Sequence, residues 1–381
     1  MLFRGKTGKL SAKAQTMIEL LIYVSVMGII TPAVIMIFIK TRQGMASDEM
    51  HIRLQTLNEQ TLNRIHERII QSRHLFQGPL PPATGSDGTS FVAAISITAS
   101  DPPTLTGSKM AVAQTIASGS LSPSQGASFF GNCLLMGCYD TSQTIKTGGT
   151  YKGYFAPMTI SGTGVSQTVV NGSVTSTLPA VVVIDVYRFY FYYLTTTGVR
   201  QVKNATDYNL MEWQSIQFAD YREINDIPDT NLQTKAASWL ANPPVASGYQ
   251  AVTVAWDPDA TDPTQAFYQL STSGIGSTAL SSYKIPEAQP AVNLTQVSSG
   301  IISNGFNYGI SGNTSGFMGS AAVPLYATAS GAFPGGFEVG LSGNGAGLEV
   351  LIRSLVIASG ASGTGGTWND NSMITNARDI W

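Results

Sequence analysis

The apolar pattern divides the chain into three stretches. Positions 17–39 read MIELLIYVSVMGIITPAVIMIFI, apolar on every side of a helix, with Glu19 as the single charge. That length suffices to cross a bilayer core of roughly 30 Å. Beyond Lys40 the pattern turns amphipathic: Met50, Leu54, Leu57, Leu62, Ile65 and Ile69 recur at near-helical spacing, with Arg53, Glu59, Arg64, Glu67 and Arg68 mostly between them. The pattern predicts one helix from about 16 to 76, roughly 90 Å long at 1.5 Å per residue. Gly78-Pro79 and Pro81-Pro82 end the run.

Residues 79–381 read as strands and loops. The clearest strand is AVVVIDVYRFYFYYL, 180–194, β-branched and aromatic on both faces as a central strand covered on both sides would be. A turn at Thr195–Gly198 leads to Val199–Val202, which pairs back, and Leu210–Phe218 gives another strand. Further strands are predicted at 90–98, 151–160, 249–256, 265–271 and 348–358, the last favoured over helix by its flanking glycines. A short helix fits Asp229–Leu240, capped by Asp229 or Thr230. Segments 100–128, 272–335 and 359–367 are rich in Gly, Ser and Thr and read as loops or irregular strands. The fold class predicted is α+β: a long N-terminal helix packed on an antiparallel β-sheet, with an enlarged β-rich C-terminal domain. Residues 1–14 form a leader. Residues 15–78 form the helix, with 15–40 its apolar part and 41–78 its amphipathic part. Residues 79–381 form an outer domain, with a subdomain boundary considered near 245.

Charge adds a direction. Residues 1–14 carry Arg4, Lys6, Lys9 and Lys13 and no acid, whereas residues 79–381 carry eleven basic and eighteen acidic residues, a net −7. The Lys/Arg excess precedes the apolar stretch, which predicts a cytoplasmic N-terminus and export of everything past residue 40. An acidic exported part is a poor general binder of nucleic acid. A secretory signal has a shorter apolar core and a small-residue cleavage site after it, and neither is present. An uncleaved signal anchor is the plain alternative. Glu19 argues against that alternative, because a carboxylate inside an apolar span costs energy and a simple anchor has no use for it.

The run KAQTMIELLIYVSVMGII, residues 13–30, resembles the processing motif of type IV prepilins and type II secretion pseudopilins. The resemblance implies a peptidase cut between Ala14 and Gln15, which makes Glu19 the fifth residue of the mature chain and Thr16 its second. The family usually has Gly before the cut and often an aromatic residue after it; here these are Ala14 and Gln15. The succession of strand, turn and Arg-containing strand near 180–218 loosely resembles the core sheet of large minor pilins. What the resemblance implies is a filament subunit, held in the bacterial inner membrane before assembly, with a methylated N-terminus. Its partners would be a prepilin peptidase and other pilin subunits, and its final location a periplasmic or cell-surface filament. Glu19 would pair with the free amine of a neighbouring subunit, since an unpaired charge in an apolar core is costly. Pro32 cannot bond the carbonyl of Gly28, itself a poor helix former, so both weaknesses fall on one turn. The family resemblance implies that this turn melts on assembly.

Other chemistry is sparse. The three histidines, His51, His66 and His74, all fall within the predicted helix, which excludes Ser-His-Asp or Cys-His arrangements within 79–381. No cofactor is expected. Cys133 and Cys138, in GNCLLMGCYD, suit either a loop closed by a disulfide after export or two buried thiols. Asp257, Asp259 and Asp262, in WDPDATDP, suit either a Ca²⁺-holding loop or a solvated proline-rich turn; the EF-hand spacing is absent. The alternatives to a filament subunit are an adhesin or binding module displayed on a pilus and a signal-anchored extracytoplasmic enzyme.

Overall fold

The structure is a computed structural model that describes residues 10–77, 110–111, 113–115, 130–146, 151–153, 167–170, 173–176, 181–196, 208–227, 230–260, 265–281, 283–294, 302–304, 336–343, 348–359 and 366–377. The helices are α1 (Leu10–Gln71), α2 (Tyr221–Asn225) and α3 (Thr230–Ala241). The strands up to the short helices are β1 (Ser72–Leu75), β2 (Ala113–Thr115), β3 (Phe130–Gly131), β4 (Leu134–Lys146), β5 (Tyr151–Gly153), β6 (Gln167–Val170), β7 (Ser173–Ser176), β8 (Val181–Thr196) and β9 (Tyr208–Asp220). Those after them are β10 (Val254–Trp256), β11 (Phe267–Ser271), β12 (Gly274–Ile275), β13 (Glu287–Asn293), β14 (Ile302–Asn304), β15 (Phe337–Gly343), β16 (Leu348–Ser359) and β17 (Gly366–Ala377). The architecture is α+β: one long helix and one large sheet.

The main sheet runs β1-β4-β8-β9-β14-β16-β15-β2, with β17 on the other side of β16 and β10 and β13 attached to β9. Most pairings are antiparallel, but β10 with β9 and β15 with β2 are parallel, so the sheet is mixed. Several strands beyond residue 245 join this same sheet. A separate small sheet has the order β5-β7-β6.

β8 is the central strand that its composition predicts. It pairs with β4 on one side and β9 on the other. Its even-numbered Tyr190, Tyr192 and Leu194 share a core with Leu62, Ile65 and Ile69 of α1. Ile184 and Val186, further down the same face, pack with Leu232, Ala236 and Leu240 of α3. The odd-numbered Tyr187, Phe189, Phe191 and Tyr193 form the opposite core with Trp213, Val254, Trp256 and Phe267. Period-2 alternation thus supplies both cores from one strand. The far core is held by ring packing, with Phe189 and Trp256 centroids 4.9 Å apart and nearly perpendicular.

α1 ends five residues earlier than its periodicity predicts, and the following residues form β1. Its last carbonyls find side-chain donors: the Ser72 hydroxyl donates to Ile69 O at 2.6 Å, and the Cys138 thiol to Arg68 O at 3.2 Å. Those contacts satisfy groups that every helix end leaves open. The chain then turns into β1 and pairs antiparallel with β4.

β4 decides between the two readings of GNCLLMGCYD: the disulfide-closed loop does not form, and the cysteines are buried thiols. GNCLLMGC is largely a strand, and both cysteines are free and buried. Cys138 belongs to the core under α1 and Cys133 to the opposite core. Five residues of extended chain separate them by ~16 Å, beyond the ~7 Å that a bridge tolerates between Cα atoms. Gly137 is there for packing rather than for a turn: a Cβ on it would lie 2.9 Å from the Trp256 ring.

Other expectations divide. The strand at 348–358 is β16, and the helix at 229–240 is α3. The stretch at 272–335, read as loops or irregular strands, holds β12, β13 and β14 among its described residues, and β13 pairs with β9 through two register shifts. β15 and β17 also form where no strand was expected, although 366–367 fell in a predicted loop. Val199–Val202 and the strand at 90–98 lie outside the described residues, as does 154–160, so only Tyr151–Gly153 of that strand is seen.

Candidate functional site: an exposed apolar helix

The feature that sets this molecule apart is surface, not cavity. Along α1 from Met17 to Ile39 every side chain is exposed, including Leu20, Leu21, Tyr23, Met27, Ile29 and Phe38. Single exposed apolar residues are ordinary, but a contiguous surface of this extent marks a site that something else covers. Among the described residues α1 is the one helix long and apolar enough to cross a membrane. Glu19 sits on this surface, exposed and near its N-terminal end.

Ala14 and Gln15 lie on the helical backbone of α1. Gly28 and Pro32 lie within it too, and the helix is continuous through both. Together with Met27, Thr31, Ile35 and Met36 they line a groove of about 620 Å³ on the helix side. A Cβ on Gly28 would meet nothing within 4 Å.

The lower half of α1 is fixed to the sheet. Leu54, Leu62, Ile65 and Ile69 are buried, as their spacing predicts. The Arg64 guanidinium grips the Glu212 carboxylate of β9 with two bonds, Nε to Oε2 at 2.8 Å and Nη2 to Oε1 at 2.5 Å. Glu212 is only 3 % exposed, and the Tyr192 hydroxyl adds a third bond to Oε2 at 2.9 Å. Hydrogen bonding to Glu212 raises the Arg64 pKa above its already high value, while burial pushes the Tyr192 phenol well up. Both groups therefore hold fixed charge states at any physiological pH.

A second feature is a polar cavity of about 670 Å³ where β1, β8 and α2 meet. Its walls carry Asp185, Asp220, Glu223, Asp226 and Asp259 against Arg73 and Arg222. Asp220 caps α2 by accepting from the backbone N–H groups of Arg222 and Glu223, and its carboxylate also holds the Arg222 guanidinium at 2.9 Å. Glu223 accepts from the Asp185 N–H at 2.6 Å, yet burial, with Asp185 and Asp220 nearby, lifts its pKa to about 7. Two aspartates of the WDPDATDP turn, Asp257 and Asp259, are among the described residues. Asp259 pairs with Arg222 at 3.5 Å, and Asp257 accepts from the Asp259 N–H at 3.0 Å. Asp262 lies outside the described residues. Among the described residues no group of three or more His, Cys, Asp or Glu side chains is placed to hold a metal ion.

Sequence reasoning finds the apolar surface and Glu19 but misses this cavity and the Arg64–Glu212 grip. The only signal available for the grip was an arginine within an otherwise helical apolar pattern and a glutamate within a strand. No family model matches the chain, and no curated protein or solved structure matches it either.

Proposed function

We propose that the protein is a structural subunit of a type IV pilus or type II secretion-like filament. It is made as a prepilin, cut between Ala14 and Gln15, and assembled through the apolar half of α1. The size of the chain suits a minor pilin or pseudopilin. The observation that carries the reading is the 23-residue apolar surface at positions 17–39, whose single charge is Glu19. That surface continues without a break into a helix half that is packed on a sheet.

In this reading α1 first spans the inner membrane, with the leader in the cytoplasm and the β-rich part outside. Cleavage frees the Gln15 amine. The Glu19 carboxylate of one subunit then meets the amine of the next, and in an apolar core that pairing favours one register over arrangements that strand a charge. The bond missing between Gly28 and Pro32 gives the helix a turn that yields on packing. The test is Glu19→Ala in the cell that makes the protein. The variant should enter the membrane normally and be missing from sheared filaments. Incorporation at the wild-type level would overturn the assignment of Glu19.

A further inference from the structure

Among the described residues, two side chains of α1 anchor it to the sheet by polar contacts, in addition to the Cys138 thiol's contact with Arg68 O at the helix end. The Asn58 amide, fully buried, donates from Nδ2 to Ser354 O at 3.0 Å, to Asn369 O at 3.3 Å and to Asn369 Oδ1 at 2.8 Å. Six residues on, or ~9 Å along the axis, Arg64 holds Glu212 in the fork described above. The anchors reach different parts of the sheet, Asn58 to β16 and β17 and Arg64 to β9.

The apolar contacts between and around them discriminate less. Leu54, Leu62, Ile65 and Ile69, with the half-buried Met50 and Leu57, fan over roughly 140° of the helix circumference at 3.6 residues per turn. Burial of apolar area is non-directional, so a fan this wide tolerates small rotations and shifts. Hydrogen bonds do not, because they weaken steeply outside a narrow range of length and angle. A misplaced α1 would leave Glu212 buried with no cation, and that is a heavy penalty.

We infer that the two anchors, rather than the apolar fan, hold α1 in a single pose on the sheet. They thereby set the height and bearing at which the apolar span projects from the β-rich part. Net stability is not their main contribution, since the ion pair joins a buried carboxylate to a half-exposed guanidinium and an apolar pair of similar volume would serve about as well. The inference concerns the docked half of α1 and stands whatever covers positions 17–39.

The test measures distance in the full-length protein in detergent. Nitroxides are attached at Asn63→Cys on α1 and Ser372→Cys on β17, both exposed positions, while Cys133 and Cys138 are buried and stay unlabelled. The parent should give one narrow distance. Replacing the anchors together, Asn58→Leu/Arg64→Met/Glu212→Met, should leave a folded protein whose distances spread over ~5 Å, the rise of one helical turn. The milder pair Arg64→Met/Glu212→Met should fold with an unchanged or raised thermal midpoint and show the same spread to a smaller degree. A single narrow distance at the parental value in either folded variant would overturn the inference. So would loss of folding in the milder pair, because the anchors would then be supplying stability.

Discussion

The two halves of α1 share one backbone and differ in everything around it. Between Met17 and Ile39 the side chains are apolar on all sides and all exposed. Between Leu54 and Ile69 they are apolar on one side, and that side is buried on the sheet. The docked half has its partner within the same chain. The free half carries more apolar surface and packs against none of the described residues. Among the described residues, burial on the sheet accounts for one half of this helix and leaves the other uncovered.

The comparison can be broken by substitution, beginning with the largest expected effect. Arg64→Ala strands the Glu212 carboxylate in the interior and should cost about 3–5 kcal/mol in denaturant unfolding. A loss below ~1 kcal/mol would mean that Glu212 reaches water. Leu62→Ala should cost about 2–5 kcal/mol by opening a cavity under the docked half. The matching change in the free half, Ile29→Ala, should leave the same unfolding curve in place, since Ile29 is exposed and packs against none of the described residues. If both changes destabilised the protein alike, the contrast between the halves would be false. Gly137→Ala pushes a methyl group against Trp256 and should cost about 1–3 kcal/mol.

The smallest expected effects depend on pH. His74 follows α1 directly and packs against Phe76 and Trp256, with ring centroids 4.5 and 6.0 Å away. Burial lowers its pKa from 6.5 to about 4. The unfolded chain therefore binds a proton between pH 6.5 and 4 that the folded chain refuses, so this contribution to stability is full above 6.5 and falls through that window. Glu223 has the opposite sign: its contribution is full below 4.5 and is lost as pH rises through about 7. Unfolding curves of His74→Phe and Glu223→Gln across pH 4–8 separate the two, because each variant should lose only its own slope.

The legibility of the sequence follows the range of the forces involved. The free half of α1 was readable because a long apolar run needs no tertiary context. β8 was readable because Val, Ile, Tyr and Phe fill both of its faces. β4 does not read as a strand because its glycines and cysteines look like a turn, whereas Gly137 answers to a tryptophan far along the chain. The end of α1 was misplaced because its closing donors are Ser72 and Cys138, and the second comes from another strand. The polar cavity could not be read at all, since Arg73, Asp185, Glu223 and Asp259 come together only through the topology of the sheet.

The most direct test of the filament-subunit account is the N-terminal peptide of the protein recovered from its own cells. The account predicts a mature chain that begins at Gln15, with a methylated amine, and retains the whole apolar stretch. A protein that keeps Met1–Ala14, or one cut after Ile39, would contradict it.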